Sequence, residues 1–204
     1  MKRIVLGMCL SAIFGAAQAG TLEIANSSVI NFNNYDGQPL TITGAESSGL
    51  WGYLSATSAG IFSATYLGNE SGYVNNFSFG FVDGTLLESN SIGRTISQSV
   101  GSGTVGFSFS DNAGLGHTFR NGDQQQNPFG FAILKGQTNK YGTFDYLLGF
   151  NDSYTGDADY DDFVVGVNFV SAPVPEPETY AMLLAGLGLI GFSARRRKSD
   201  TFDD

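Results

Sequence analysis

The chain reads as an all-β protein, an antiparallel β-sandwich with an apolar helix appended at its C-terminus after a proline-rich linker. Short runs of alternating apolar and polar residues recur with turn-forming stretches between them, at the intervals of a sandwich or barrel. The composition agrees, with 28 glycines, 17 phenylalanines and only 14% charged residues. Glycine punctuates strands and aromatic rings pack on pleated surfaces. After Val170 the pattern changes abruptly to prolines, then an apolar run, then cations. At 204 residues the length suits one core with appendages.

The first element is "MKRIVLGMCLSAIFGAAQAG". Lys2 and Arg3 form a positive start, Ile4 to Ala16 an apolar run, and Ala17-Gln18-Ala19 an A-x-A cleavage signal before Gly20. Residues 1–19 therefore read as a secretory signal peptide. Cys9, the only cysteine, lies too early in the apolar run, behind the bulky Met8, to be a lipid-anchor site. The body without this leader has no thiol, which excludes disulfides, cysteine nucleophiles and thiolate metal sites.

Residues 20–171 carry the expected strands: "SVINF" (28–32), "PLTIT" (39–43), "GIFSATYL" (60–67), "YVNNFSFGFV" (73–82), "GTVGFSFS" (103–110), "FGFAILK" (129–135), "YGTFDYLLGF" (141–150) and "DFVVGVNFV" (162–170). In "NNFSFGFV" the alternation places Phe77, Phe79 and Phe81 on one face, and Phe107 and Phe109 repeat the device. These read as core side chains, each contributing about 1.5–3 kcal/mol of burial. Trp51 and Tyr53 in "GLWGYLS" could instead stack on a sugar ring, with packing at a strand edge as the alternative.

The linker, residues 172–179, is "APVPEPET", expected to be extended because proline fixes its own φ and biases the residue before it away from helix. A helix is expected over 180–194. Its apolar part, Tyr180–Phe192, spans some 20 Å at about 1.5 Å per residue, against a hydrocarbon core of roughly 30 Å. With Ser193, Ala194 and snorkelling arginines it could just cross a thinned bilayer. Arg195, Arg196, Arg197 and Lys198 would act as a stop on the cytoplasmic side, and residues 195–204 complete the tail.

Charge narrows the function classes. Residues 20–174 hold four Lys and Arg side chains against fourteen Asp and Glu, a net charge of −10. So acidic a body repels phosphate backbones, which argues against nucleic-acid partners and favours cations. The densest chemistry is "NDSYTGDADYDDF", with Asp152, Asp157, Asp159, Asp161 and Asp162. Crowded carboxylates repel unless neutralised, and a hard divalent cation with oxygen ligands such as calcium is a common solution. Asp157, Asp159 and Asp161 alternate, so an extended segment would point all three to one side. An EF-hand is excluded, since Asp162 stands where its turn needs glycine and Asn168 where it needs a bidentate glutamate. A hydrogen-bonded turn capping the strand at Phe163 explains the same residues without metal. Catalytic carboxylates would need to face one another across a cleft, which one loop does not supply. His117, the only histidine, could join Ser110 and Asp111 on paper, yet no G-x-S-x-G elbow is present.

Two stretches carry family resemblances. "VPEPETYAMLLAGLGLIGFSARRRK" (174–198) resembles the PEP-CTERM sorting signal of exopolysaccharide-making Gram-negative bacteria. The resemblance implies recognition of Pro175, Glu176 and Pro177 by a membrane-embedded protease of the exosortase type. It also implies transient membrane insertion of the tail and an exported, surface or secreted product. "FNDSYTGDADYDDFVVGV" (150–167) carries a resemblance, covering roughly Gly142 to Phe169 and more vaguely "FSATYLGNESGYVNNFSF", to a D-x-D-[YF]-[ND]-D signature of uncharacterised bacterial β-sandwich domains, and implies a jelly-roll-like body. The functional expectation is a non-enzymatic surface or exopolysaccharide-matrix component, structural or adhesive. A carbohydrate-binding or carbohydrate-cleaving module acting on that polymer is the alternative.

Overall fold

Where apolar and polar residues alternate, the backbone is pleated and pairs with its neighbours. A computed structural model describes residues 19–32, 48–81, 83–123, 129–152, 158–173 and 177–199. The strands are β1 (Leu22–Asn31), β2 (Ser48–Ala56), β3 (Gly60–Gly68), β4 (Asn76–Ser78), β5 (Thr85–Leu87), β6 (Thr95–Val100), β7 (Gly103–Thr104), β8 (Ser108–Ser110), β9 (Thr118–Arg120), β10 (Gly130–Lys135), β11 (Thr138–Asn139), β12 (Gly142–Thr143), β13 (Tyr146–Asn151) and β14 (Phe163–Ser171). Gly20–Ala172 is one compact unit, and the helix α1 (Pro177–Ser199) lies outside it.

The architecture is sandwich-like and all pairings are antiparallel. A large sheet runs in the order β1-β2-β10-β13-β14-β3-β6, with β7 paired to β2. A smaller sheet runs β5-β4-β8-β9, and β11-β12 is a separate ribbon. Between the sheets lies an aromatic core. Phe77, Phe109 and Phe107 meet Phe131, Phe150 and Phe163 of the large sheet, and the rings of Phe109 and Phe150 stack at 5.1 Å. On its outer face the small sheet pairs hydroxyls, Ser78 with Thr85 and Ser110 with Thr118, each at 3.0 Å. The alternation read in "FSF" is thus apolar inward and hydroxyl outward. The expectation for Phe81 does not hold: Gly80 at φ 82° turns the chain out of the strand, which ends at Ser78, and Phe81 is half-exposed.

The large sheet is buried on both faces at its centre. Alternate residues Ala132, Leu134, Leu147 and Val164 point away from the small sheet into a second core with Ile30, Leu67, Phe144, Ala158 and Tyr160. Two glycines let this layer lie close. A Cβ on Gly149 would come within 2.1 Å of the Tyr160 carbonyl oxygen, and one on Gly166 within 2.5 Å of the Phe144 ring. Tyr160 and its neighbours are thereby pinned across the outer face of β13. Among the expected strands, "PLTIT" (39–43) lies outside the described residues. "YVNNFSFGFV" is reduced to β4: a bend precedes it at Tyr73, another follows at Gly80 and Phe81, and Val82 lies outside the described residues.

The helix differs from expectation at both ends. It opens at Pro177, where a proline without an N–H is tolerated in the first turn, and it runs through the basic cluster to Ser199. The stretch without charge is bounded by Glu178 and Arg195 and spans about 24 Å at about 1.5 Å per residue. Among the described residues no helix is long and apolar enough to cross a membrane. This corrects the transmembrane-helix expectation: between Glu178 and Arg195 the uncharged stretch falls short of a hydrocarbon core of roughly 30 Å.

Candidate functional site

The acidic segment was expected to be extended, with Asp157, Asp159 and Asp161 aligned. Asp157 lies outside the described residues. At Tyr160 the backbone turns left-handed, with φ 61°, which breaks the strand geometry. Tyr160 is fully buried in the second core, its ring 5.1 Å from Phe32. Burial pushes its hydroxyl up to about 12; the Trp51 N–H acts weakly in the opposite sense, and no well-formed hydrogen bond joins the two. With the tyrosine anchored inward, Asp159 and Asp161 on either side of it are each 2% exposed.

The carboxylates separate into two groups. Asp159 and Asp161 converge with Glu70, from the loop after β3, their oxygens all within 4.8 Å of one another. Asp152 and Asp162 close the base of the segment instead, Asp152 N donating to Asp162 Oδ2 at 2.8 Å. Asp152 Oδ2 also accepts from Ser71 Oγ at 2.5 Å and from Asn75 Nδ2 at 2.6 Å. Asn75 is fully buried, its backbone N–H donates to Glu88 Oε1 at 2.7 Å, and its Oδ1 has no hydrogen-bond partner among the described residues. Glu88 is held above the usual carboxylate range by burial; the Asn75 N–H opposes this and the charge of Asp152 adds to it.

Glu70, Ser71, Asn75 and Glu88 were not singled out by sequence. Glu70 sits in "GNESG", a stretch that reads as an ordinary turn. Its place beside Asp159 comes from the pairing of β3 with β14, which brings Gly68 opposite Val164. The available signals were a vaguer similarity of "FSATYLGNESGYVNNFSF" (62–79) to the same bacterial domains, and an acidic residue at the end of a strand able to pair with the one after the aspartates.

The Ser-His-Asp arrangement does not assemble. Ser110 Oγ is bonded to Thr118, on the outer face of the small sheet, while His117 Nδ1 lies 3.1 Å from Asp111 Oδ1. The Asp111 carboxylate also accepts from Ala113 N at 2.8 Å, closing the hairpin loop.

Trp51 and Tyr53 do come together. Both line an open cleft of about 520 Å³, flanked by Asn26 and Ser28 of β1 and by the Gly122–Asp123 turn. Trp51 also packs on the second core, as the packing reading of this residue expects.

Of the sorting residues, Pro175 and Glu176 lie outside the described residues, as does Ala17 of the leader, whereas Ala19 and Gly20 lie just ahead of β1. Pro177 opens α1, and Arg195, Arg196, Arg197 and Lys198 close it. The chain is a sandwich-like all-β body with one helix appended at its C-terminal end. Residues 173–198 match the PEP-CTERM protein-sorting motif. That motif marks an exosortase substrate, a secreted, membrane-processed cell-surface protein of Gram-negative bacteria. No curated protein and no solved structure matches the chain.

Proposed function

We propose that the sorted product is a non-enzymatic component of the cell surface or exopolysaccharide matrix, its sandwich locked by one calcium ion. The observation that carries this reading is the convergence of Glu70, Asp159 and Asp161 from two segments far apart in sequence. Three carboxylates so close repel one another strongly, and two of them are nearly withdrawn from solvent. A hard cation with oxygen ligands removes that repulsion and ties the loop after β3 to the segment across β13. The buried, unpartnered Oδ1 of Asn75 in the adjoining network supports the reading, as a neutral oxygen available to a cation. The signature resemblance of the acidic stretch belongs to this proposal: Asp159 and Asp161 serve as ligands, and Asp152 and Asp162 as braces.

Binding to the folded state alone raises stability by mass action, about 2.7 kcal/mol at a hundredfold excess over Kd. For a domain of this size that corresponds to a rise in Tm of about 5–10 °C. Thermal melts of the exported protein in calcium and in EDTA measure it. Glu70→Gln, at an exposed position, should remove most of the rise while leaving the EDTA melt near its original value. Identical melts of the parent protein in millimolar calcium and EDTA would sink the calcium reading.

A further inference from the structure

The cleft at Trp51 has the construction of a binding site. In β1 a bulge between Ala25 and Ser28 places Asn26 in the left-handed region, with φ 51°. A bulge re-aims side chains, and a strained non-glycine residue persists only where its surroundings hold it. Opposite it, Gly52 adopts φ 150° and leaves no room for a side chain, since a Cβ there would lie 2.7 Å from the Ala25 carbonyl oxygen. The far wall is equally fixed. Asn121 clamps Leu54 N and O at 2.9 and 2.8 Å and Val105 O at 2.7 Å, and Asp123 Oδ2 accepts from Arg120 N at 2.8 Å. The Trp51 indole packs on the second core with its Nε1 edge buried, and with Tyr53, two residues on along the same strand, it lines the cleft.

We propose that this cleft binds a short stretch of a neutral polysaccharide, its sugar rings laid on Trp51 and Tyr53 and its hydroxyls bonded to Asn26, Ser28 and Asp123. The aliphatic C–H face of a pyranose suits an aromatic ring, and its hydroxyls need donors and acceptors around that ring. The volume falls within the range of small-ligand sites. Among the described residues the lining includes no Lys or Arg, and the body carries a net charge of −10, so uronate-rich or phosphorylated polymers are repelled. A rigid site of this kind loses little entropy on binding.

The inference extends the matrix reading but is tested apart from it, since binding to a dissolved polymer does not depend on where the cell leaves the protein or on calcium. The probe is the producing cells' own polysaccharide, split by anion exchange into neutral and acidic fractions, in native affinity gels of the exported protein. Trp51 is the only tryptophan, so its emission reports occupancy of the site directly. The neutral fraction should retard the protein and shift Trp51 emission to the blue. Tyr53→Ala should weaken the retardation about tenfold at unchanged Tm. The proposal is overturned by the absence of retardation in the neutral fraction, by retardation confined to the acidic fraction, or by a Tyr53→Ala protein that binds like the parent.

Discussion

Two single residues, Gly149 and Tyr66, report on the two faces of the large sheet. Gly149 lies directly under Tyr160. Gly149→Ala would lift residues 158–162 off the sheet, at a cost of about 1–3 kcal/mol for overpacking. Because Asp159 and Asp161 flank Tyr160, the same substitution should also blunt the calcium-dependent rise in Tm, which paired melts in calcium and EDTA would reveal. Tyr66 provides a test on the other side of the sheet. It is 2% exposed, stacked 4.8 Å from Phe163 and hydrogen-bonded to Asn69, and burial with the added charge of Glu88 pushes its hydroxyl up to about 12. A folded-state pKa above the unfolded value near 10 means the neutral form is the one the fold accepts. The corresponding stability is present in full below pH 10 and is lost as pH climbs toward 12. Tyr66→Phe gives up the Asn69 hydrogen bond at every pH, so its Tm starts lower; its decline between pH 10 and 12 should be the shallower of the two. Parallel curves over that range would refute the assignment.

At the level of elements, the local pattern predicted strands well where burial is one-sided or continuous. "GIFSATYL" became β3 and "DFVVGVNFV" became β14 almost residue for residue, because apolar runs of that length can only be satisfied inside a sheet. It predicted them poorly where the strand is short or its partner distant. β2 carries Trp51 but reads as a glycine- and serine-rich stretch, and β6 at the far edge alternates hydroxyls and amides that give little apolar signal. The helix was legible as an apolar run, but its ends were not. Pro177 looks like a helix breaker in isolation and is a favourable first residue once the helix follows it. The Arg195–Lys198 cluster, read as flanking sequence, forms the last turn, where cations complement the helix dipole.

For the whole molecule, the sorting motif and the sandwich describe a protein in two parts, one concerned with delivery and one with what is delivered. Mass spectrometry of the exported protein should find chains ending near Pro175–Pro177. Recovery of intact Arg195–Lys198 on mature surface protein would contradict processing at the motif. The sequence by itself determined the destination, the all-β class and the presence of an acidic turn. Each of these is written in contiguous residues, as a motif, a periodicity or a local charge density. Only the tertiary structure decided which carboxylates meet, because Glu70 reaches Asp159 and Asp161 through the β3–β14 pairing. It likewise decided that Asp152 and Asp162 brace the segment instead of joining that group, and that Trp51 and Tyr53 line a cleft with Asp123. The physical reason is the same in each case: sheet pairing joins residues far apart in the chain, and the register that sets their contacts is fixed by burial of both sheet faces together.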